Sequence, residues 1–348
     1  MAAFAAALFA FAPIAAVADG GVTSVRGSAV IPNGETVTYT FKPEGEAPHP
    51  AILFLQGYPC RTAAPDDPRN LSRNKLIASF VEAGYLVHIA EKPGLGGGAS
   101  TKACKDLLYQ EEVAAFQSVL DQLLQNAEVD ADNLYIFGHS MGGQTAPLIA
   151  RDRKVKGIIT YGIHAKPWFE FMIDITRAQA ERLGMDPVTA NKETATVIPF
   201  LYDLMIEKKE WSYLKANHKA GLSVGVFRGE EGYLNGRYYT FWASLNDAAF
   251  IDAWADFDGK VLALYGEYDI ASISAEGAQR IARTVNYHKP GHATAQIVPK
   301  TGHGFATLDA SFEDYLSRRL TAEWAGEQEA ALFNPAVPDR VIKWLESQ

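Results

Sequence analysis

One serine stands in a setting that suits a nucleophile. Ser140 lies in Gly138-His139-Ser140-Met141-Gly142. Residues 134–137 before it are a short apolar run that reads as a buried strand, and residues 144–150 after it read as a helix. Gly-x-Ser-x-Gly between strand and helix is the pattern of a nucleophile elbow, a tight turn that lifts the hydroxyl above the end of a sheet. A Cβ at Gly138 or Gly142 would strike neighbouring backbone, and the helix start behind the serine favours developing negative charge. The plainer alternative is a glycine-serine turn without chemistry. A serine hydroxyl is a weak nucleophile at about pH 7, so the chemistry needs a base in reach and a third group to orient that base.

The elements that must hold this turn follow from hydrophobic periodicity. Residues 24–31 and 35–41 read as strands, the second alternating with Val37, Tyr39 and Phe41 on one face. The continuous apolar runs 51–55, 85–90 and 155–161 read as buried parallel strands. Between them, 74–83 reads as a helix stopped by Gly84, and 106–124 as a long amphipathic helix. Gly94-x-Gly96 is not a nucleotide loop, because no helix opens there and the P-loop lysine and spacing are missing. From Gly162 to Asp258 the rhythm breaks into helical patterns at 168–183, 187–208 and 236–255. Strand 261–266, helix 274–285, strand 295–298 and helix 337–346 then resume it. Such alternation argues an α/β class: a mostly parallel, twisted sheet flanked by helices on both faces.

From about Ala51 to the last helix the chain resembles the α/β-hydrolase family, which places its serine, acid and histidine in that chain order. The resemblance directs attention to two later strand ends. Residues 261–266 break at Gly266, with Asp269 just beyond, and 295–298 lead into Gly302-His303-Gly304. His303 is then the expected base, its glycine neighbours leaving the loop free to approach the serine. The remaining histidines suit the role less well. His139 lies inside the turn, and His88 is mid-strand. His49, His218, His288 and His292 sit in polar stretches, and His164 opens the long insertion. Asp269 is the expected acid, holding the histidine tautomer, with Glu267 two residues earlier as its rival. The oxyanion hole needs two backbone N–H groups, expected from Met141 and from Tyr58 in Gln56-Gly57-Tyr58-Pro59. Gln56 stands where the family commonly has histidine, and Pro59 has no N–H to offer.

The resemblance also implies that the insertion is a cap over the site; an unrelated second domain is the alternative. The expected organisation is a secretory leader over 1–18, core over 19–162, helical cap over 163–258 and core again over 259–348. The cap is rich in aromatics such as Trp168, Phe171, Trp211 and Trp242. Any one of these is more often core than pocket lining, but the set implies an apolar or aromatic ester substrate. Cys60 and Cys104 are the two cysteines, on loops after two parallel strands at the same sheet edge. One disulfide is expected, with two free thiols as the alternative.

The 348 residues are 48% hydrophobic and 11% aromatic, ample for a large core. The net charge of −9 comes without any basic run, which argues against a nucleic-acid partner. Residues 2–18 are almost wholly small and apolar and end Ala16-Val17-Ala18, a cleavage pattern; a retained anchor is the alternative, although the run is short for a membrane span. A secreted or periplasmic location follows. No metal-ligand spacing occurs, and acyl transfer to water needs no cofactor. The expected activity is hydrolysis of a carboxylic ester by a Ser-His-Asp set. The rivals are an amide-cleaving serine peptidase, needing a site for a peptide terminus such as Glu170 or Glu207, and a catalytically silent binding protein.

Overall fold

The computed structural model of the chain describes residues 15–17, 23–223, 231–319 and 327–348. Of the expected leader only β1 (Ala15–Val17) is described, an edge strand antiparallel to the start of β2 (Thr23–Ile31); the rest lies outside the described residues. The first core segment continues with β3 (Gly34–Phe41), β4 (His49–Leu55), α1 (Leu71–Glu82) and β5 (Leu86–Ala90). Then come α2 (Tyr109–Leu124), β6 (Val129–His139), α3 (Gly142–Ala150) and β7 (Gly157–Tyr161). The insertion holds α4 (Trp168–Arg182), α5 (Pro187–Met205), α6 (Trp211–Asn217), α7 (Lys219–Ser223), the small hairpin β8 (Tyr233–Leu234) and β9 (Arg237–Tyr238), α8 (Tyr239–Asn246) and α9 (Phe250–Asp256). The chain closes with β10 (Lys260–Gly266), α10 (Glu276–His288), β11 (Ala293–Val298), α11 (Phe312–Arg319), α12 (Glu327–Ala331) and α13 (Ala336–Leu345).

Nine of the described strands make one sheet, ordered β1-β2-β3-β5-β4-β6-β7-β10-β11. From β5 to β11 every pairing is parallel, and β1 to β3 form the antiparallel end. The period of two sorts each central strand into two cores. Leu53 and Leu55 of β4 pack with Phe116 and Leu120 of α2 and Ile149 of α3. Their neighbours Ile52 and Phe54 pack on the opposite face with Leu76 and Phe80 of α1 and Val341 of α13. Both faces are therefore covered, which is why these strands read as unbroken apolar runs. The strand order turns at β4 and β6, and Ser140 follows directly after β6.

Two expectations are corrected here. The single helix expected over 236–255 is a hairpin turn followed by two helices. Asn235 and Gly236 take φ of 50° and 75°, the left-handed pair of a tight hairpin, so Gly236 turns the chain and does not start a helix. The Asn246-Asp247 pair then ends α8, the Asp247 N–H closing onto Ser244 and Leu245 carbonyls, and α9 starts afresh at Phe250. His49, expected in a polar setting, is instead buried at the start of β4 and donates its backbone N–H to Glu128 at 2.8 Å.

Candidate active site

The elbow is built from close backbone contacts. Ser140 has φ of 55°, a left-handed conformation costly for a residue with a side chain, and is held there by its N–H bond to Tyr161 O at 2.9 Å. A Cβ at Gly142 would lie 2.3 Å from the Leu55 carbonyl oxygen, and one at Gly138 would lie 2.5 Å from Gly143 Cα. The glycines thus let the start of α3 sit against the end of β4. The loop after β4 passes just as near: a Cβ on Gly57 would fall 3.2 Å from Ser140 Oγ. Met141, in the turn, is buried.

Asp269 and His303 meet beyond the ends of β10 and β11. Asp269 is fully buried and accepts from His303 Nδ1 at 2.8 Å. It also accepts from the N–H groups of Ala271 and Ser272, at 2.7 and 3.0 Å, and from Ser272 Oγ at 2.6 Å. Burial raises its pKa, but His303 and the Ser272 donors outweigh burial and hold the carboxyl well below the usual range. Glu267 is exposed and turned away, accepting the Lys300 N–H at 2.8 Å. Gly162, at φ 68°, borders the pair so closely that a Cβ would lie 2.7 Å from Asp269 Oδ2 and 2.8 Å from His303 Nδ1. His139 donates from Nε2 to the His303 carbonyl at 2.9 Å; a carbonyl only accepts, so this bond sets the His139 tautomer. Burial first, then the neighbouring His303, pushes the His139 pKa down to about 3, so it serves as a neutral brace for the His303 backbone.

Ser140, Met141, His303, Gly57 and Tyr58 all line one cavity of about 810 Å³. Among the described residues no hydrogen bond joins the Ser140 hydroxyl to the His303 ring; apo sites commonly tighten this contact only with substrate bound. The insertion supplies an apolar wall from Trp168, Phe171, Met172, Ile175 and Trp242. Glu193 is on this wall.

The loop that carries Tyr58 is fastened from two sides. Cys60 and Cys104 are bonded, with Cα atoms 5.8 Å apart. Arg237 of β9, fully buried, donates to the Tyr58 carbonyl from Nε and Nη2 at 2.9 and 2.8 Å and to the Cys104 carbonyl from Nη1 at 2.7 Å. Glu112 of α2 pairs with Arg237 at 2.5 Å and with buried Lys92. Sequence reasoning missed Arg237, Gly162 and Ser272. The Asn235-Gly236 pair was a usable signal for the first, since it marks the hairpin on which Arg237 sits. No local pattern marks the other two.

The fold has counterparts among solved structures. Est1E from Butyrivibrio proteoclasticus, determined with ferulic acid bound, superimposes with a TM-score of 0.56 at 14% identity, over 92% of this chain and 98% of that one. The chain has the α/β-hydrolase fold. Carboxyl esterase 2 of the mycorrhizal fungus Tuber melanosporum matches at TM-score 0.52 and 18% identity, over 94% of this chain and 86% of its own. The acylaminoacyl peptidase of Pyrococcus horikoshii matches at 0.51 and 12% identity, over 81% of this chain but 38% of that longer one. In sequence, residues 72–170 match the model of the prolyl oligopeptidase family. A search of curated protein sequences finds no match.

Proposed function

We propose that the chain is a serine hydrolase that cleaves a carboxylic ester through an acyl-enzyme on Ser140. One observation carries this reading: the strained elbow serine opens on the same cavity as a histidine whose Nδ1 is bonded to a buried, ionised aspartate. With Nδ1 committed to Asp269, Nε2 is the nitrogen left to take the Ser140 proton as Oγ attacks the ester carbonyl. The N–H groups of Tyr58 and Met141 are the proposed donors to the carbonyl oxygen as it becomes negative. His303 then returns the proton to the departing alcohol. Water, deprotonated by the same ring, frees the acid and restores Ser140.

Residues 163–258 act in this reading as the cap. Their aromatic wall favours an apolar or aromatic portion of the substrate, for which a cavity of about 810 Å³ is ample. The disulfide supports an exported protein, because such bonds persist in oxidising compartments. Among the described residues no helix is long and apolar enough to cross a membrane. A second reading, amide cleavage, has the match to the prolyl oligopeptidase family in its favour. The acid that this reading would require is better sought in Glu193, on the cavity wall, than in Glu170 or Glu207.

Ser140→Ala tests the nucleophile. Turnover of p-nitrophenyl esters should fall by roughly 10⁴-fold or more with the circular dichroism spectrum unchanged. A folded Ser140→Ala protein that keeps most of its activity removes the assignment. Parallel assays on aminoacyl p-nitroanilides decide between ester and amide.

A further inference from the structure

At the start of α1 two side chains are buried with hydrogen-bonding capacity that no described residue uses. Ser72 and Arg73 are 7% and 8% exposed, and both line the cavity that holds Ser140 and His303. Arg73 Nη2 donates to the Ala63 carbonyl at 2.9 Å and to Asn74 Oδ1 at 3.0 Å. Its Nε and Nη1, and the Ser72 hydroxyl, have no partner among the described residues.

Holding the 61–65 loop does not explain this arrangement. Nη2 alone makes the bond to that loop, and Asn70 and Asn74 already bind it through the Thr62, Ala64 and Pro65 carbonyls. Nor is the charge neutralised by contact. The nearest acids act on Arg73 only through space, because Glu91 is bonded to Thr62 Oγ1 and the Ala63 N–H, and Asp67 is paired with Arg69. A buried guanidinium with donors unmade is costly unless something else accepts from them. In a cavity wall the natural acceptor is a ligand. Arginine, weakly hydrated and always charged, is suited to a carboxylate, to which its bonds are charge-assisted. Arg61, Arg69 and Arg319 line the cavity as well, beside Glu193 and Glu329, but Arg61 and Arg69 are exposed and screened by water, so Arg73 is the buried cation of the wall.

We propose that Arg73 and Ser72 form a subsite for a carboxylate carried by the substrate. On the reading given above, which this extends, the ester is one bearing a free acid group besides the scissile carbonyl. Apolar contacts from the insertion and the anion at Arg73 would then set the substrate's orientation before Ser140 attacks.

The test is binding, so it does not depend on turnover. Calorimetry on folded Ser140→Ala protein would compare the monomethyl esters of succinic, glutaric and adipic acids with their neutral dimethyl esters. For at least one chain length the anionic member should bind at least about tenfold more tightly. Arg73→Gln, in the same background, should bring that ratio to about one. Ser72→Ala, which removes no bond within the protein and so leaves the fold intact, should lower it by about threefold. Equal binding of both members at every length, no binding by any of them, or a ratio untouched by either variant overturns the subsite. Loss of ester turnover in the wild type would bear on the proposed function alone, since these affinities are read without catalysis.

Discussion

Arg237 and Tyr58 are 179 residues apart, and the guanidinium of one grips the backbone carbonyl of the other with two nitrogens. The contact ties the insertion to the loop proposed to supply an oxyanion donor. A carbonyl pinned from Nε and Nη2 fixes the Tyr58–Pro59 peptide plane, and so restrains the backbone of Tyr58, whose own N–H is the proposed donor.

Arg237→Lys should therefore reduce kcat on a p-nitrophenyl ester by roughly 10–100-fold, because small misplacements of the reacting groups are expensive. Lysine has one point charge and cannot reach the Tyr58 and Cys104 carbonyls and Glu112 together. KM should change much less than kcat. A purely structural role for Arg237 would lower stability and leave kcat of the folded fraction as it was, and active-site titration with a fluorophosphonate separates the two.

Asp269 and Glu267 have different surroundings and should behave differently. Asp269→Asn keeps the shape but leaves His303 without its carboxylate partner, and turnover should fall by about 10⁴-fold. Glu267→Gln alters an exposed side chain bonded to the Lys300 N–H and should keep at least about a tenth of kcat. Measuring kcat for both, with folding checked by circular dichroism, reverses the assignment if Glu267→Gln is the inactive one.

The bond between Cys60 and Cys104 closes a loop of 44 residues in sequence separation. In the chain-entropy account a loop of that size contributes about 4 kcal/mol by restricting the unfolded chain. The double variant Cys60→Ser with Cys104→Ser should lose about that much stability in urea unfolding. Mass spectrometry of exported protein, alkylated without reduction, should find no modified thiol. Two alkylated cysteines would refute the bridge.

Acid should destabilise the protein through His164. The ring is 6% exposed and stacks on Phe171 with centroids 3.6 Å apart. Burial pushes its pKa from 6.5 down to about 3. Between those values the unfolded chain binds the proton and the folded one does not, so stability is present at higher pH and is lost as pH falls through that window. One such group gives a slope of about 1.4 kcal/mol per pH unit. His139, shifted in the same direction by burial, adds to it. Melting temperature should drop steadily from about pH 6 to about pH 4, and His164→Gln should flatten the curve. An unchanged slope in the variant would show that other groups carry the effect.

The local chemistry of the elbow is written in consecutive residues. Gly138, Ser140 and Gly142 declare a turn with no space for side chains, because the steric requirement lies within a few residues of chain and β4 merely supplies the wall. Unbroken apolar strands likewise announced a sheet covered on both sides, since burial on two faces leaves no polar alternation to keep. Periodicity failed where the special conformation was in the turn: Asn235-Gly236 was absorbed into a helical stretch although its left-handed pair makes a hairpin. The decisions among equivalent residues belong to the tertiary structure. Asp269 and Glu267 sit in one loop with the same chemistry, and only the approach of the His303 loop, 34 residues on, separates the buried acceptor from the exposed one. Arg237 and Arg73 are two arginines among many until folding buries them, one with its bonds made by the Tyr58 loop and the other in the cavity wall with two donors that no described residue accepts from. Sequence spacing can specify what a residue's neighbours along the chain require of it. Which distant group removes its water is decided by packing.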